Sequence, residues 1–135
     1  MKVRCINIDW LEIFAEEPIE QPHNAEYFRS VGYKVKERAY GTPQYREMFT
    51  IIADNEEIFE VRRNPYSIKT QGGIFKENAC HIRLCNRTCY EEDPVNHLRA
   101  FMVAHNYTYQ AISRIDIALG FNDFDNGGRP ENFIN

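Results

Sequence analysis

Five residues have the types to do chemistry together: Asp9 in "INIDWLEIF", His81 and Arg83 in "CHIRLC", and Arg114 and Asp116 in "RIDIALGF". Two carboxylates and an imidazole form a ligand set for a hard divalent cation such as Mg²⁺ or Mn²⁺, with Asp9 and Asp116 as the metal-binding pair. Flanking guanidinium groups suit phosphate, so Arg83 and Arg114, with His81 beside them, are the candidate phosphate contacts. A second reading needs no ligand. Arg114 and Asp116 are two apart on one strand face, and they could pair with each other or with cross-strand charges such as Arg62 or Glu60. A half-exposed sheet face carries such solvated salt bridges by default, and the residues alone leave both readings open.

These residues meet only if strands bring them together. Val3 to Phe14 reads as the first strand, with Ile6, Ile8, Trp10 and Phe14 on one face and Cys5, Asn7, Asp9 and Leu11 on the other. A proline-bearing acidic loop from Glu16 to Asn24 follows, then a short helix over Ala25 to Ser30 ended near Gly32. Tyr33 to Ala39, Gln44 to Ala53 and Glu57 to Arg63 read as strands, joined by turns at Gly41-Thr-Pro43 and Asp54-Asn-Glu56. Tyr66 to Thr70 suggests a short edge strand. Ala79 to Asn86 is a further strand, with Cys80, Ile82 and Leu84 inward and His81, Arg83 and Cys85 opposite.

The strongest helix signal spans Asp93 to His105. Asp93 caps it, Pro94 suits the first helical position, and Val95, Leu98, Phe101 and Met102 form its apolar stripe. From Tyr107 a last strand alternates. Tyr107, Tyr109, Ala111, Ser113, Ile115, Ile117, Leu119 and Phe121 take the core side, while Arg114, Asp116 and Gly120 share the polar side, with a bulge expected at the glycine. The expected fold is therefore α+β: a largely antiparallel β-sheet with one main helix, about 93–105, packed on one face.

Length and composition fit this picture. The chain has 135 residues, expected to form a single domain over 1–135. Its formal net charge of −4 argues against whole-surface attraction to nucleic acid or anionic membrane. Between Phe28 and Arg87, however, eleven Lys/Arg face seven Asp/Glu, a balance that suits a local anion-binding face or simply a solvated surface. No apolar run approaches the ~20 residues of a membrane span. The chain enters a strand directly after Met-Lys-Val-Arg, so a secretory leader is not expected. Cys5, Cys80, Cys85 and Cys89 then read as reduced thiols in a cytoplasm. Their spacing lacks the second cysteine pair of a zinc knuckle, which disfavours zinc. The acidic turn from Asn122 to Gly128 fails the EF-hand pattern, since the position for the bidentate Glu is Ile134. No nucleophile motif or phosphate-binding glycine loop is present, and no catalytic residue is assigned.

Several stretches taken together carry a resemblance: "IDWLEIF", "AYGTPQY", "RRNPYS", "CHIRLCNRTCY" and "ISRIDIALGFNDFDNGGRPENFI". Across nearly all of its length the chain resembles the amino-terminal portion of the Rep_trans family of replication initiation factors, the rolling-circle replication and mobilisation proteins of plasmids, phages and conjugative elements. The resemblance implies a DNA-binding and DNA-processing domain. In that family a tyrosine attacks a DNA phosphate, and strand carboxylates hold a divalent metal. The family's first-strand acid matches Asp9, and its Arg-x-Asp motif matches Arg114 and Asp116. The second acid expected four residues later is here Gly120, which cannot ligate a metal and would shift the site toward Asp123 or Asp125. The nucleophilic tyrosine lies farther downstream in the family than residue 135. The chain is therefore expected to be the amino-terminal part of a longer initiator and incomplete for nicking. The partners implied are DNA, as a single strand or an origin hairpin, and a second copy of the chain. The alternative is a non-catalytic interaction or dimerisation module that keeps the initiator scaffold.

Overall fold

In the computed structural model, the residues described are 3–66, 69–70, 73–74, 76–85 and 93–121, with side chains for 8–66, 76–85 and 93–117. The elements run β1 (Val3–Glu16), α1 (Ala25–Ser30), β2 (Lys34–Glu37), β3 (Tyr45–Ala53), β4 (Glu56–Pro65), β5 (Lys69–Thr70), β6 (Gly73–Ile74), β7 (Ala79–Leu84), α2 (Pro94–Ala104) and β8 (Thr108–Phe121). Six strands form one sheet in the order β2-β3-β4-β7-β1-β8. Every pairing in it is antiparallel. The fold is the expected α+β arrangement, with the main helix on one face and the short α1 beside it. Phe28 of α1 packs on Phe49 of β3 and on Phe101 of α2, and Phe101 reaches Phe59 of β4 at 4.3 Å between ring centroids.

Local chemistry sets the element ends. Asn24 caps α1 by accepting from the Tyr27 N–H, and Gly32 follows the helix at φ 106°, where a Cβ would be strained. Asp93 caps α2 by accepting from the Asn96 N–H, and Pro94 takes the first turn. Asp54 and Asn55 both have positive φ, 52° and 62°, which is the twist that a two-residue hairpin between β3 and β4 requires. At Gly41 the chain passes so close to the Tyr45 carbonyl and the Arg46 backbone that a Cβ would collide with them.

The inner face of the sheet carries Leu11, Ile13 and Ala15 of β1, and Cys80, Ile82 and Leu84 of β7, all buried. The β7 assignment matches its alternation; the β1 assignment departs from it. Ile8 pairs with Ile117 and Trp10 with Asp116, so Asp9 is an extra residue, a bulge. The bulge flips the remainder of the strand. Ile8 packs against the core together with Leu11 and Ile13, while Trp10 and Phe14 move to the opposite, polar face. Strict alternation instead groups Ile8 with Trp10 and Leu11 with Asp9.

The last strand needs a larger correction. β8 lies at the sheet edge, and the side read as core is open, with Tyr109 53%, Ile115 41% and Ile117 54% exposed. The steps from Ile13↔Ile112 to Glu12↔Arg114 and from Ala15↔Tyr109 to Phe14↔Ala111 leave Ser113 and Gln110 as extra residues. Ile112 therefore joins Ile115 on the helix side, where both line one groove. At the far end Val3 pairs with Phe121 and Cys5 with Gly120, so the irregularity is Arg4 on the facing strand, not the glycine. On α2, Leu98, Phe101 and Met102 are buried as their spacing demands, but Val95 is 42% exposed beside the same groove. Asn86, Cys89 and the turn from Asn122 to Gly128 lie outside the described residues, as do the side chains of Cys5 and Asn7.

Candidate functional site

The strand order β7-β1-β8 makes neighbours of the three strands that carry the candidate residues. The register then sets them in rank. Glu60 of β4 faces Arg83 of β7, Arg83 faces Glu12 of β1, and Glu12 faces Arg114 of β8. Charge alternates along this row across four strands, an arrangement in which each cross-strand neighbour is attractive.

Glu12 is the centre of the face. It is 9% exposed, and its carboxylate accepts from Trp10 Nε1 at 2.5 Å. His81 Nε2 lies 3.2 Å from its Oε1, and Arg62 Nη1 lies 3.7 Å from the same oxygen. Arg62 also donates to Glu60 at 3.0 Å and to His81 Nδ1 at 3.3 Å. An arginine can only donate, so Nδ1 accepts and the imidazole proton sits on Nε2, facing Glu12. Burial holds the His81 pKa below its ordinary value, Glu12 pulls the other way, and Arg62 lowers it further. His81 is thus a neutral ring, with both nitrogens engaged and 5% exposure.

Trp10 is flanked from both neighbouring strands. The Arg83 guanidinium lies 4.6 Å from its ring centroid and that of Arg114 lies 4.5 Å away. Both contacts are within cation–π range. Arg83 is anchored to Glu60 at 3.1 Å. Arg114 donates to both Asp116 oxygens, at 2.7 and 3.3 Å, and this bonding lowers the Asp116 pKa and raises that of Arg114. Of the three expected nucleic-acid contacts, Arg114 is the open one, with its side chain 52% exposed; Arg83 is 19% exposed, and His81 lies beneath the surface.

Asp9 and Asp116 are close in register, since the bulge at Asp9 directly precedes Trp10, the partner of Asp116. In this geometry Asp116 is paired with Arg114, and among the described residues no group of three or more His, Cys, Asp or Glu could hold a metal ion. Asp123 and Asp125 lie outside the described residues.

Beside His81 a hollow of about 330 Å³ opens between Glu12, Phe14, Tyr45, Arg62 and Ser113. The Tyr45 ring centroid is 6.5 Å from that of His81, and burial pushes its hydroxyl up to about 12. Tyr45 is therefore fully protonated at neutral pH, the opposite of an activated nucleophile. The cysteine thiols of the described residues, Cys80 and Cys85, are buried and form no disulfide; burial raises the Cys80 pKa well above its usual range.

Trp10 and Glu12 are the site residues that sequence reasoning misses, because the Asp9 bulge breaks the alternation that would place them. The signal available is the apolar run Leu11, Ile13, Ala15, which is out of phase with Ile6 and Ile8 and leaves Trp10, Glu12 and Phe14 to the other face. Among the described residues no helix is long and apolar enough to cross a membrane. No protein-family model, curated protein or solved structure matches the chain.

Proposed function

We propose that this chain is a DNA-binding domain of replication-initiator type, which holds a single strand or the unpaired part of an origin hairpin on the sheet face around Trp10. The observation that carries this reading is the paired approach of Arg83 and Arg114 to the indole, at 4.6 and 4.5 Å. Guanidinium groups stacked over an aromatic ring are held with their planes available to bases, and the same groups can donate to phosphate oxygens. Arg114 is the mobile contact, because its partner Asp116 is exposed and a surface ion pair is weak enough to exchange for phosphate. The test is titration of the full chain with a labelled oligothymidylate at low ionic strength. Salt-sensitive binding is expected, and a folded chain that binds neither single- nor double-stranded DNA at low salt would refute the reading.

A second reading is a non-catalytic interaction module. It is favoured by the neutrality of the face, where Arg62, Arg83 and Arg114 are matched by Glu12, Glu60 and Asp116. Failure of the DNA titration with a stable self-association would select it.

A further inference from the structure

We infer that two copies of this chain pair through β8, antiparallel about a twofold axis at Ile115, and so extend the sheet across the dimer. β8 is 14 residues long and lies at the sheet edge, paired with β1 on one side and, among the described residues, with nothing on the other. Its helix-side face is apolar and open. Ile112, Ile115 and Tyr109 line a groove of about 420 Å³ against Val95, Leu98 and Met102 of α2. Soluble proteins blunt such edges with proline, lysine, inward charge or bulges. From Thr108 to Phe121 there is no proline and no lysine, and the two charges, Arg114 and Asp116, cancel. Bulges at Gln110 and Ser113 lie in the first half, which a self-pairing about Ile115 sets opposite the regular second half of the other copy, so Arg114–Asp116 is the stretch that is regular on both.

The charges identify the occupant as a second copy. Arg114 and Asp116 flank Ile115 on one face of the strand. In an antiparallel self-pairing centred at Ile115, Arg114 of one copy falls opposite Asp116 of the other, and the reverse. The strand is its own electrostatic complement. Ile115 then meets its symmetry mate on the helix side, with Ile117 of the second copy on the diagonal, so the exposed isoleucines cover one another. The exposed Arg114–Asp116 pair within each chain exchanges for an equivalent pair between chains. Cross-strand partners share a face, so both Trp10 surfaces lie on the same side of the extended sheet. This inference is independent of what that face binds.

The test is light scattering of the full chain with two charge variants. Wild type is expected at twice the 15.9 kDa chain mass. Arg114→Asp places like charges opposite each other, as does Asp116→Arg, and each alone is expected at the monomer mass. Mixed in equal amounts, the two variants are complementary and are expected to return to the doubled mass, and the double variant Arg114→Asp/Asp116→Arg is expected to dimerise by itself. The inference is overturned if wild type stays monomeric at all concentrations. It is equally overturned if the single variants still dimerise, or if neither the mixture nor the double variant does so while circular dichroism shows them folded.

Discussion

His81 and Glu12 face each other 3.2 Å apart under the polar surface of the sheet, with the imidazole kept neutral by burial and by Arg62 on its other nitrogen. A second buried ring, His105, is likewise held below its ordinary pKa, first by burial and then by His23. Tyr27 and Tyr33 occupy its two nitrogens at 2.9 and 3.2 Å. Both histidines therefore bind a proton more weakly in the folded chain than at the ordinary value of 6.5. Below that pH the unfolded chain takes up more protons, so stability is full above it and falls as pH drops toward the folded values. The limiting slope is about 1.4 kcal/mol per pH unit for each histidine. Urea unfolding midpoints should be flat from pH 8 to 7 and decline from 6.5 to 5. A midpoint that holds constant or rises over the acid interval would contradict the assignment.

Removing the Glu12 carboxylate strands two groups at once. In Glu12→Ala, the Trp10 N–H and the His81 Nε2–H lose their acceptor, while Arg62 keeps Glu60 and His81 Nδ1. Leaving buried polar groups without a partner costs roughly 1–3 kcal/mol. Trp10 is the single tryptophan, so its emission reports the change directly. The variant should show both a lowered unfolding midpoint and a shifted emission maximum in the folded state. An unaltered spectrum would mean that the Trp10–Glu12 contact does not persist in solution.

On the other side of the sheet, Arg63 grips Glu17 with two hydrogen bonds, at 2.8 and 2.9 Å, and donates to Glu47 at 2.5 Å. Burial opposes the charge on Arg63, but the two carboxylates outweigh it and raise its pKa. Glu17 is 4% exposed and also accepts from the His23 N–H, so this cluster ties the loop after β1 to β4. Arg63→Met keeps the aliphatic bulk and abandons a buried carboxylate, which should cost about 3–5 kcal/mol. The double variant Arg63→Met/Glu17→Met should recover much of that loss in chemical denaturation. A single variant as stable as wild type would show that the pair contributes little.

The sequence is informative where a local rule acts alone. The Asp93-Pro94 pair announces a helix start without help from the rest of the chain, and α2 begins where those residues place it. β7 can be read because Cys80, Ile82 and Leu84 sit in a central strand with no bulge, so period two holds to its end. β1 and β8 cannot, for two reasons. Bulges at Asp9, Gln110 and Ser113 carry no glycine to mark them, and each inverts the facing of the residues beyond it. Whether an apolar face is covered also depends on strand order, and β8 reads as a core strand by composition although it lies at an edge with its isoleucines exposed. The convergence of His81, Arg83, Arg114 and Asp116 is legible because each lies on the polar side of its own strand. That Asp116 is taken by Arg114 is one of the two readings that the residues alone leave open.

The contribution of Arg83 and Arg114 to DNA binding should be unequal, for a geometric reason. Arg83 is 19% exposed and fixed to Glu60, so Arg83→Ala removes the guanidinium stacked on the Trp10 ring but few phosphate contacts. Arg114 is 52% exposed and tethered only to a surface carboxylate, so it can turn to a phosphate while its stem stays beside the indole. Loss of one phosphate contact on a single strand lowers the slope of log K against log salt by about 0.7. Loss of stacking leaves that slope unchanged and costs roughly 1–3 kcal/mol per base. Arg114→Ala should therefore weaken oligothymidylate binding and flatten its salt dependence. Trp10→Ala should weaken binding with the slope intact, and Arg83→Ala should resemble the tryptophan variant more than the Arg114 one. Measuring affinity at several salt concentrations for all three separates these outcomes. Equal slopes for Arg114→Ala and wild type would place the phosphate contact elsewhere on the chain.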